Sequence, residues 1–299
     1  MQINFIKYDK IYFFISGILI VGSLACLAVF GLNPGNDFTG GSILEIEYQN
    51  DRPSNQEIRD TLNGLDLGDF NVQPAGEKGL ILKMKDISED THQQIIKKLS
   101  EGKEIKELRF ESIGPVVGQE LKSKTMNIVI FSLLAMLVYI AVAFNQLSWP
   151  AKSWQYAIAT LFILFNDILL PLGVFSILGK FYGIQITIPI IAALLTIIGY
   201  AINNVVVVYD RLRENVLKTR RREETFEDIA NKSINQTLSR QINTSLTTLL
   251  PLFFIFFMGG ETLKYFALTL ILGILSGLYS SIFLACPILV GWLKAEKKI

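Results

Sequence analysis

The hydrophobic positions fall into long unbroken runs rather than the short alternations of a soluble core. Ile11–Phe30 is a stretch of 20 residues without a charge, long enough at about 1.5 Å per residue to cross a hydrocarbon layer of about 30 Å. Further runs occupy about Met126–Phe144, Tyr156–Leu178, Ile186–Val208, Thr244–Met258 and Leu263–Leu293, the last long enough to tilt or to extend past the interface. The pattern predicts six spanning helices, which place both ends of the chain on one side. Lys7 and Lys10 precede the first run as in a secretion leader. The run is longer than an ordinary leader core, no small-x-small cleavage site follows, and it is read as a retained first span.

Between the first and second runs the period changes. Ser42–Tyr48 alternates as a strand, with Ile43, Glu45 and Glu47 against Leu44, Ile46 and Tyr48. Ser54 and Glu57 form a capping box for a helix near Asn55–Leu62, ended in the Gly64 and Gly68 region. Strands follow near Phe70–Gln73 and Leu80–Lys85, separated by Pro74, Gly76 and Gly79. Ser88 caps a helix through about Leu99, and Ile105–Glu111 closes as a strand. The order βαββαβ predicts a ferredoxin-like α+β domain inserted into a polytopic α-helical membrane protein.

Charge sharpens this division. Gly31 to Thr125 holds 29 charged residues in 95 positions, whereas Met126 to Tyr209 holds only Lys152, Asp167 and Lys180 in 84. Four regions follow: residues 1–30 as a cytoplasmic N-terminus and first span, 31–125 as an extracytoplasmic domain, 126–293 as five further spans, and 294–299 as a cytoplasmic tail. Within the third region, an amphipathic cytoplasmic helix is expected at about 223–240. The sides are chosen by lysine and arginine. With a cytoplasmic N-terminus, fourteen basic residues lie in cytoplasmic pieces, against Lys180 and Lys264 in the short outer loops; a long translocated domain escapes the rule.

Candidate chemistry is sparse. One histidine and two cysteines exclude a four-ligand zinc cluster, both cysteines lie in apolar runs, and a net charge of +1 steers toward no nucleic acid. No metal site, cofactor or catalytic residue is indicated. His92 sits on the polar side of its helix and reads as a solvated histidine.

Polar residues at membrane depth are the more informative set. Asp167, about midway along the third run, costs roughly 2.5–3.5 kcal/mol on insertion scales if it faces lipid, so it should face protein or water. It serves either a functional path or a packing hydrogen bond made by a neutral acid. The fourth run carries Asn203 and Asn204 and ends at Tyr209-Asp210-Arg211, an acid–base cluster at the cytoplasmic face. From Glu223 to Arg240, Phe226, Ile229, Ala230, Ile234, Thr237 and Leu238 recur at near-helical spacing. Arg240 stands where this helix enters the apolar run, either snorkelling to lipid head groups or lying in a polar path between the fourth and fifth spans. Gly273-x-x-x-Gly277, with Ser276, Ser280 and Ser281 nearby, offers a flat face for close helix contact.

Four segments together resemble the SecF branch of the SecD/SecF family of protein-export membrane proteins. They are Asn36-Asp37-Phe38-Thr39-Gly40-Gly41 after the first span, Glu111-Ser112-Ile113-Gly114-Pro115-Val116-Val117-Gly118 before the second, Tyr209-Asp210-Arg211-Leu212-Arg213-Glu214-Asn215 ending the fourth, and Asn235-Gln236-Thr237-Leu238-Ser239-Arg240-Gln241-Ile242-Asn243-Thr244-Ser245 before the fifth. The likeness covers nearly the whole chain. It implies a six-span half of a pseudo-symmetric pair with SecD, in the RND superfamily of proton-driven exporters and in the bacterial inner membrane. It implies association with the SecYEG channel and often with YajC or the insertase YidC. The implied role uses the proton-motive force to pull or release an unfolded polypeptide already pushed by the ATPase SecA, without covalent chemistry.

One position departs from the resemblance. The family places an aspartate at the position of Asn204 and an arginine at Arg240; this chain keeps the arginine and lacks the acid. An asparagine does not titrate near neutral pH. A proton path would then lean on a SecD carboxylate, with Arg240 acting on it by opposite charge, or on Asp167 or Asp210, or be absent. Other readings are a non-conducting structural partner of SecD and, less favoured, a small-molecule exporter. An intramembrane enzyme lacks its motifs.

Overall fold

The computed structural model describes residues 3–143, 151–219 and 224–296. Phe144, Arg220 to Glu223, Lys297 and Lys298, which entered the expected spans, amphipathic helix and charge balance, lie outside them. The chain divides into two compact units, one formed by residues 34–128 and the other by the rest.

The smaller unit begins with a single turn, α2 (Asn36–Thr39), after α1 (Asp9–Phe30) of the other unit, and continues as β1 (Gly41–Tyr48), α3 (Asn55–Leu62), β2 (Asn71–Ala75), β3 (Gly79–Met84), α4 (Glu89–Leu99) and β4 (Ile105–Ile113). The strands lie in the order β2-β3-β1-β4, and each neighbouring pair is antiparallel. This is the split-βαβ arrangement that the strand and helix pattern predicts. Leu44, Ile46 and Tyr48 from β1 and Leu80 and Leu82 from β3 point to one side, where Ile58 and Leu62 of α3 and Ile95 and Leu99 of α4 cover them. The Ser54 capping box is complete: Ser54 Oγ accepts from the Glu57 amide at 3.3 Å and the Glu57 carboxylate accepts from the Ser54 amide at 2.9 Å. A bulge between Glu45 and Ile46 leaves Leu108 of β4 unpaired and about half exposed.

His92 corrects the expectation of a solvated ring. It is 3% exposed, stacks on Phe110 of β4 with ring centroids 3.8 Å apart, and lies between Glu89 at 3.1 Å and Glu107 at 3.3 Å. The helical pattern placed it on the polar side of α4; β4 covers that side with the Phe110 ring.

The larger unit is helical. Besides α1 it contains most of α5 (Pro115–Ala143), then α6 (Ser153–Tyr182), α7 (Ile188–Thr219), α8 (Phe226–Met258), α9 (Glu261–Phe283) and α10 (Ala285–Ala295). Among the described residues, six helices of the chain are long and apolar enough to cross a membrane. Pro115 opens α5, where its missing N–H costs nothing and its φ suits a first turn. α1 packs on α6 through small groups: a Cβ on Gly173 would lie 2.7 Å from Ser23 Cβ, and Ser176 Oγ donates to Cys26 O at 2.8 Å.

Two boundaries differ from the apolar pattern. The amphipathic segment and the fifth span are one 33-residue helix. Thr225 caps it reciprocally with Asp228, and no helix breaker falls between its polar and apolar parts. The last run, expected as a single element, divides at Leu284, whose φ of −118° departs from the helical value between α9 and α10. Pro287 falls in the first turn of α10, where proline is tolerated.

Candidate functional site

Asp167 projects from α6 into the bundle with 0% of its surface exposed. Ser276 Oγ donates to its Oδ1 at 2.8 Å and Ser280 Oγ to its Oδ2 at 2.8 Å. The Asn166 amide adds a third donor at 3.1 Å. Both serines lie on one face of α9, because residues four apart stack along a helix. Gly273 lets α9 close on α7, since a Cβ there would overlap the Ile197 side chain, and a Cβ on Gly277 would lie 3.6 Å from Asp167 Oδ2. A carboxylate at this depth thus receives hydroxyl and amide donors in place of water. Among the described residues no other Asp or Glu is buried.

A second polar layer joins α7, α8 and α9. Ser281 Oγ donates to Gln241 Oε1 at 2.5 Å, the Gln241 amide donates to Thr237 Oγ1 at 3.4 Å, and Tyr200 Oη donates to Ser245 Oγ at 3.0 Å. Asn204 is 2% exposed, and its Nδ2 has no hydrogen-bond partner among the described residues, as has Asn166 Oδ1. Asn203, Asp210 and Arg240 are exposed instead. Asn203 borders an open groove of about 490 Å³ with Ser132, Met136 and Tyr139 of α5. The candidate polar residues therefore separate: Asp167 and Asn204 turn inward, while Asn203, Asp210 and Arg240 turn away from this chain's own packing.

The segment from Tyr209 to Asn215 is a lock between helices. Tyr209 Oη donates to Ala285 O at 3.0 Å, tying α7 to the start of α10. Arg211 Nε donates to Gln236 Oε1 at 2.7 Å, and Arg211 also pairs with Glu214. Asn215 Nδ2 donates to Ser233 Oγ and Gln236 Oε1, each at 2.8 Å. Arg213 is half-buried. Asn235 and Asn231 of α8 hold the segment before α1: Asn235 accepts from Ile3 N at 3.0 Å and Asn231 accepts from Phe5 N at 2.8 Å.

The glycine motifs of the smaller unit meet each other. Gly40 and Gly41 have φ of 76° and 129°, which glycine adopts without a steric penalty. A Cβ on Gly40 would lie 2.8 Å from Pro115 Cα, and one on Gly118 would lie 2.7 Å from Gly40 N. The turn containing Asp37, Phe38 and Thr39 is thereby seated on the first turn of α5, just after Gly114. Thr39 Oγ1 donates to Gly35 O at 3.2 Å, and the charge of Asp37 acts on Arg109, whose guanidinium is held above its usual pKa chiefly by Glu111.

Sequence reasoning missed the partners more than the principals. Ser276 and Ser280 were visible only as small residues for helix contact, and they lie 109 and 113 positions from Asp167. Gln241 stood inside a quoted motif without a distinguishing pattern. Among the described residues, no group of three or more His, Cys, Asp or Glu side chains is placed to hold a metal ion.

These features define a polytopic helical membrane protein with an inserted ferredoxin-like domain and a polar bundle interior. A family model described as "Protein export membrane protein SecD/SecF, C-terminal" matches residues 92–295, and the "SecD/SecF GG Motif" matches residues 27–51. The protein translocase subunit SecF of Thermobaculum terrenum is 35% identical, with 97% of this chain and 94% of that protein covered. SecF of Calditerrivibrio nitroreducens is 37% identical, with 95% and 92% covered. The solved structure of SecDF from Thermus thermophilus, described as a translocon-associated membrane protein, is similar at a TM-score of 0.85 and 29% identity. That match covers 98% of this chain and 39% of the length of the SecDF chain. The chain belongs to the SecD/SecF family as a SecF subunit, with the multi-pass topology of an inner-membrane protein.

Proposed function

We propose that this subunit assists the late translocation of preproteins together with SecD, drawing on the proton-motive force through a charge arrangement shared between the two subunits. One observation carries the reading: Arg240 and Asn203 are exposed on α8 and α7, while the neighbouring buried position of α7 holds Asn204, which has no proton to exchange. A cation at membrane depth needs a counter-charge, and the partner's carboxylate supplies it from outside this chain. Arg240 stabilises the ionised form of that acid, so protonation weakens the pair and biases one conformation over another. A proton crossing a 100 mV potential contributes about 2.3 kcal/mol to such a bias. Asn203 orients the partner's side chain, and the buried Asn204 orients a water. The 34–128 domain is the outward part that meets the polypeptide, and SecYEG, SecA and the accessory proteins YajC and YidC act around it.

The test is export by membrane vesicles containing the subunit and its SecD, with and without an imposed proton gradient. Arg240→Gln is expected to abolish the gradient-stimulated part and leave ATP-driven export; unchanged stimulation would overturn the reading. The amide at Asn204 favours a second reading, a structural partner of SecD that conducts no protons. Under that reading Arg240→Gln lowers the amount of assembled complex and leaves the gradient response per complex unchanged.

A further inference from the structure

On the helical side of the ferredoxin-like domain, between the start of α3 and the end of α4, lies an open pocket of about 250 Å³. Tyr48, the last residue of β1, forms part of its lining. The Tyr48 side chain is 1% exposed, and its hydroxyl is buried without a hydrogen-bond partner. The hydroxyl is the protonated, donating form, since burial pushes its pKa up from the ordinary tyrosine value. Arg52 has the same peculiarity: its Nε is buried and unpaired while its Nη1 donates to Asn55 at 2.6 Å, and its charge acts on Tyr48. Lys98 and Lys103 line the pocket as well, and Lys98 makes a long contact of 3.5 Å to Asn63 O.

A buried donor left unmatched costs free energy that a ligand acceptor recovers. The Tyr48 hydroxyl beside two lysines, with the Arg52 charge acting on it, specifies an acceptor carrying negative charge. The charge must be small, because Glu57 and Glu101 also line the pocket. With Arg52 included, those groups sum to a single positive charge, which matches a carboxylate and disfavours a dianionic phosphate. Pro53, Ile58 and Leu99 supply apolar wall around the polar end, suited to a short methylene stem. We propose that this pocket binds a carboxylate on a short apolar stem, the chemistry of a glutamate or aspartate side chain in a polypeptide. The pocket stands independently of the intramembrane charges; the proposed export role adds only that a translocating polypeptide is a source of such side chains.

Calorimetric titration of the purified full-length subunit in detergent tests this without any export assay. The probes are a blocked peptide containing one central glutamate, the same peptide with glutamine, free propionate and inorganic phosphate. Saturable binding of the glutamate peptide is expected, weakened about tenfold or more by the glutamine replacement and, in the protein, by Tyr48→Phe or Lys98→Gln. Propionate binding as tightly as the peptide would identify a free-anion site and overturn the polypeptide assignment, as would tighter binding of phosphate. Equal binding by the Tyr48→Phe protein, or none to the wild type, would overturn the pocket altogether. Tyr48→Phe retains the buried ring, so its unliganded melting temperature is expected to stay or rise; only the peptide-induced increase in melting temperature should disappear.

Discussion

Asp167 and His92 are both buried, and each is made tolerable by neighbours from a different helix or strand. For Asp167 the neighbours are hydroxyls from α9; hydrogen bonds between membrane helices average about 0.6 kcal/mol and reach about 1.7. Ser280→Ala is therefore expected to lower unfolding stability in detergent by about that amount, and no loss would mean that the contact contributes nothing. Asp167→Asn is expected to keep gradient-stimulated export, because the proposed titrating acid belongs to the partner; its loss would move the proton site to Asp167. For His92 the flanking groups are carboxylates. Hydrogen bonds from Gln93 and then His92 hold Glu89 below the usual carboxylate range. A depressed folded pKa adds stability above the unfolded value and loses it as the pH falls through the folded one. Glu89→Gln should thus lower the domain's melting temperature at neutral pH and leave it unchanged in acid below that depressed value; equal losses at both would contradict the linkage. The depth of Asp167 was readable from the surrounding run, whereas its serines were not, and the helical pattern of α4 misplaced His92 because it carries no information about Phe110.

At the scale of elements, short-range chemistry was the dependable guide. The Ser54 box, the Ser88 cap and the alternation of β1 predicted elements that exist where expected, since each depends on residues within one turn or strand. Element ends set by other elements were less readable. α8 continues through what looked like a boundary, because polar and apolar stretches alike satisfy a helix backbone. The last run breaks at Leu284 although its hydropathy does not change there. The two glycine motifs are a further case: 78 positions separate Gly40 from Gly118, and only the fold shows that Gly118 leaves room for the Gly40 backbone while Gly40 leaves room for Pro115. Gly118→Ala would drive a methyl into Gly40 N, an overpacking cost of about 1–3 kcal/mol. Gly17→Ala, with open space around its Cβ, should leave stability unchanged or raise it by up to about 1 kcal/mol, since alanine favours a helix interior over glycine. Thermal unfolding of the two variants side by side checks the pair, and equal effects would mean that the contact between the motifs carries no stability.

For the whole molecule, the division of polar residues between inside and outside decides what must be completed by another chain. Asp167, Ser276, Ser280, Gln241 and Ser281 satisfy one another within the bundle, so that part of the interior is self-sufficient. The outer faces of α7 and α8 are not: Asn203, Asp210, Arg240 and Asn243 are exposed alongside Leu246, Leu250 and Phe254. In lipid, polar groups on such a face favour a helix that can return their hydrogen bonds. A cysteine placed at Asn203, in a background with Cys26 and Cys286 replaced, is expected to react with a membrane-permeant maleimide when the subunit is made alone. Co-production with SecD should protect it severalfold, whereas a cysteine at Asn204 should be slow in both states because the chain itself buries that position. Equal labelling at 203 with and without SecD would place the partner elsewhere and remove the basis for completing Arg240 from outside; protection at 203 with fast labelling at 204 would instead show that α7 is turned differently in the membrane.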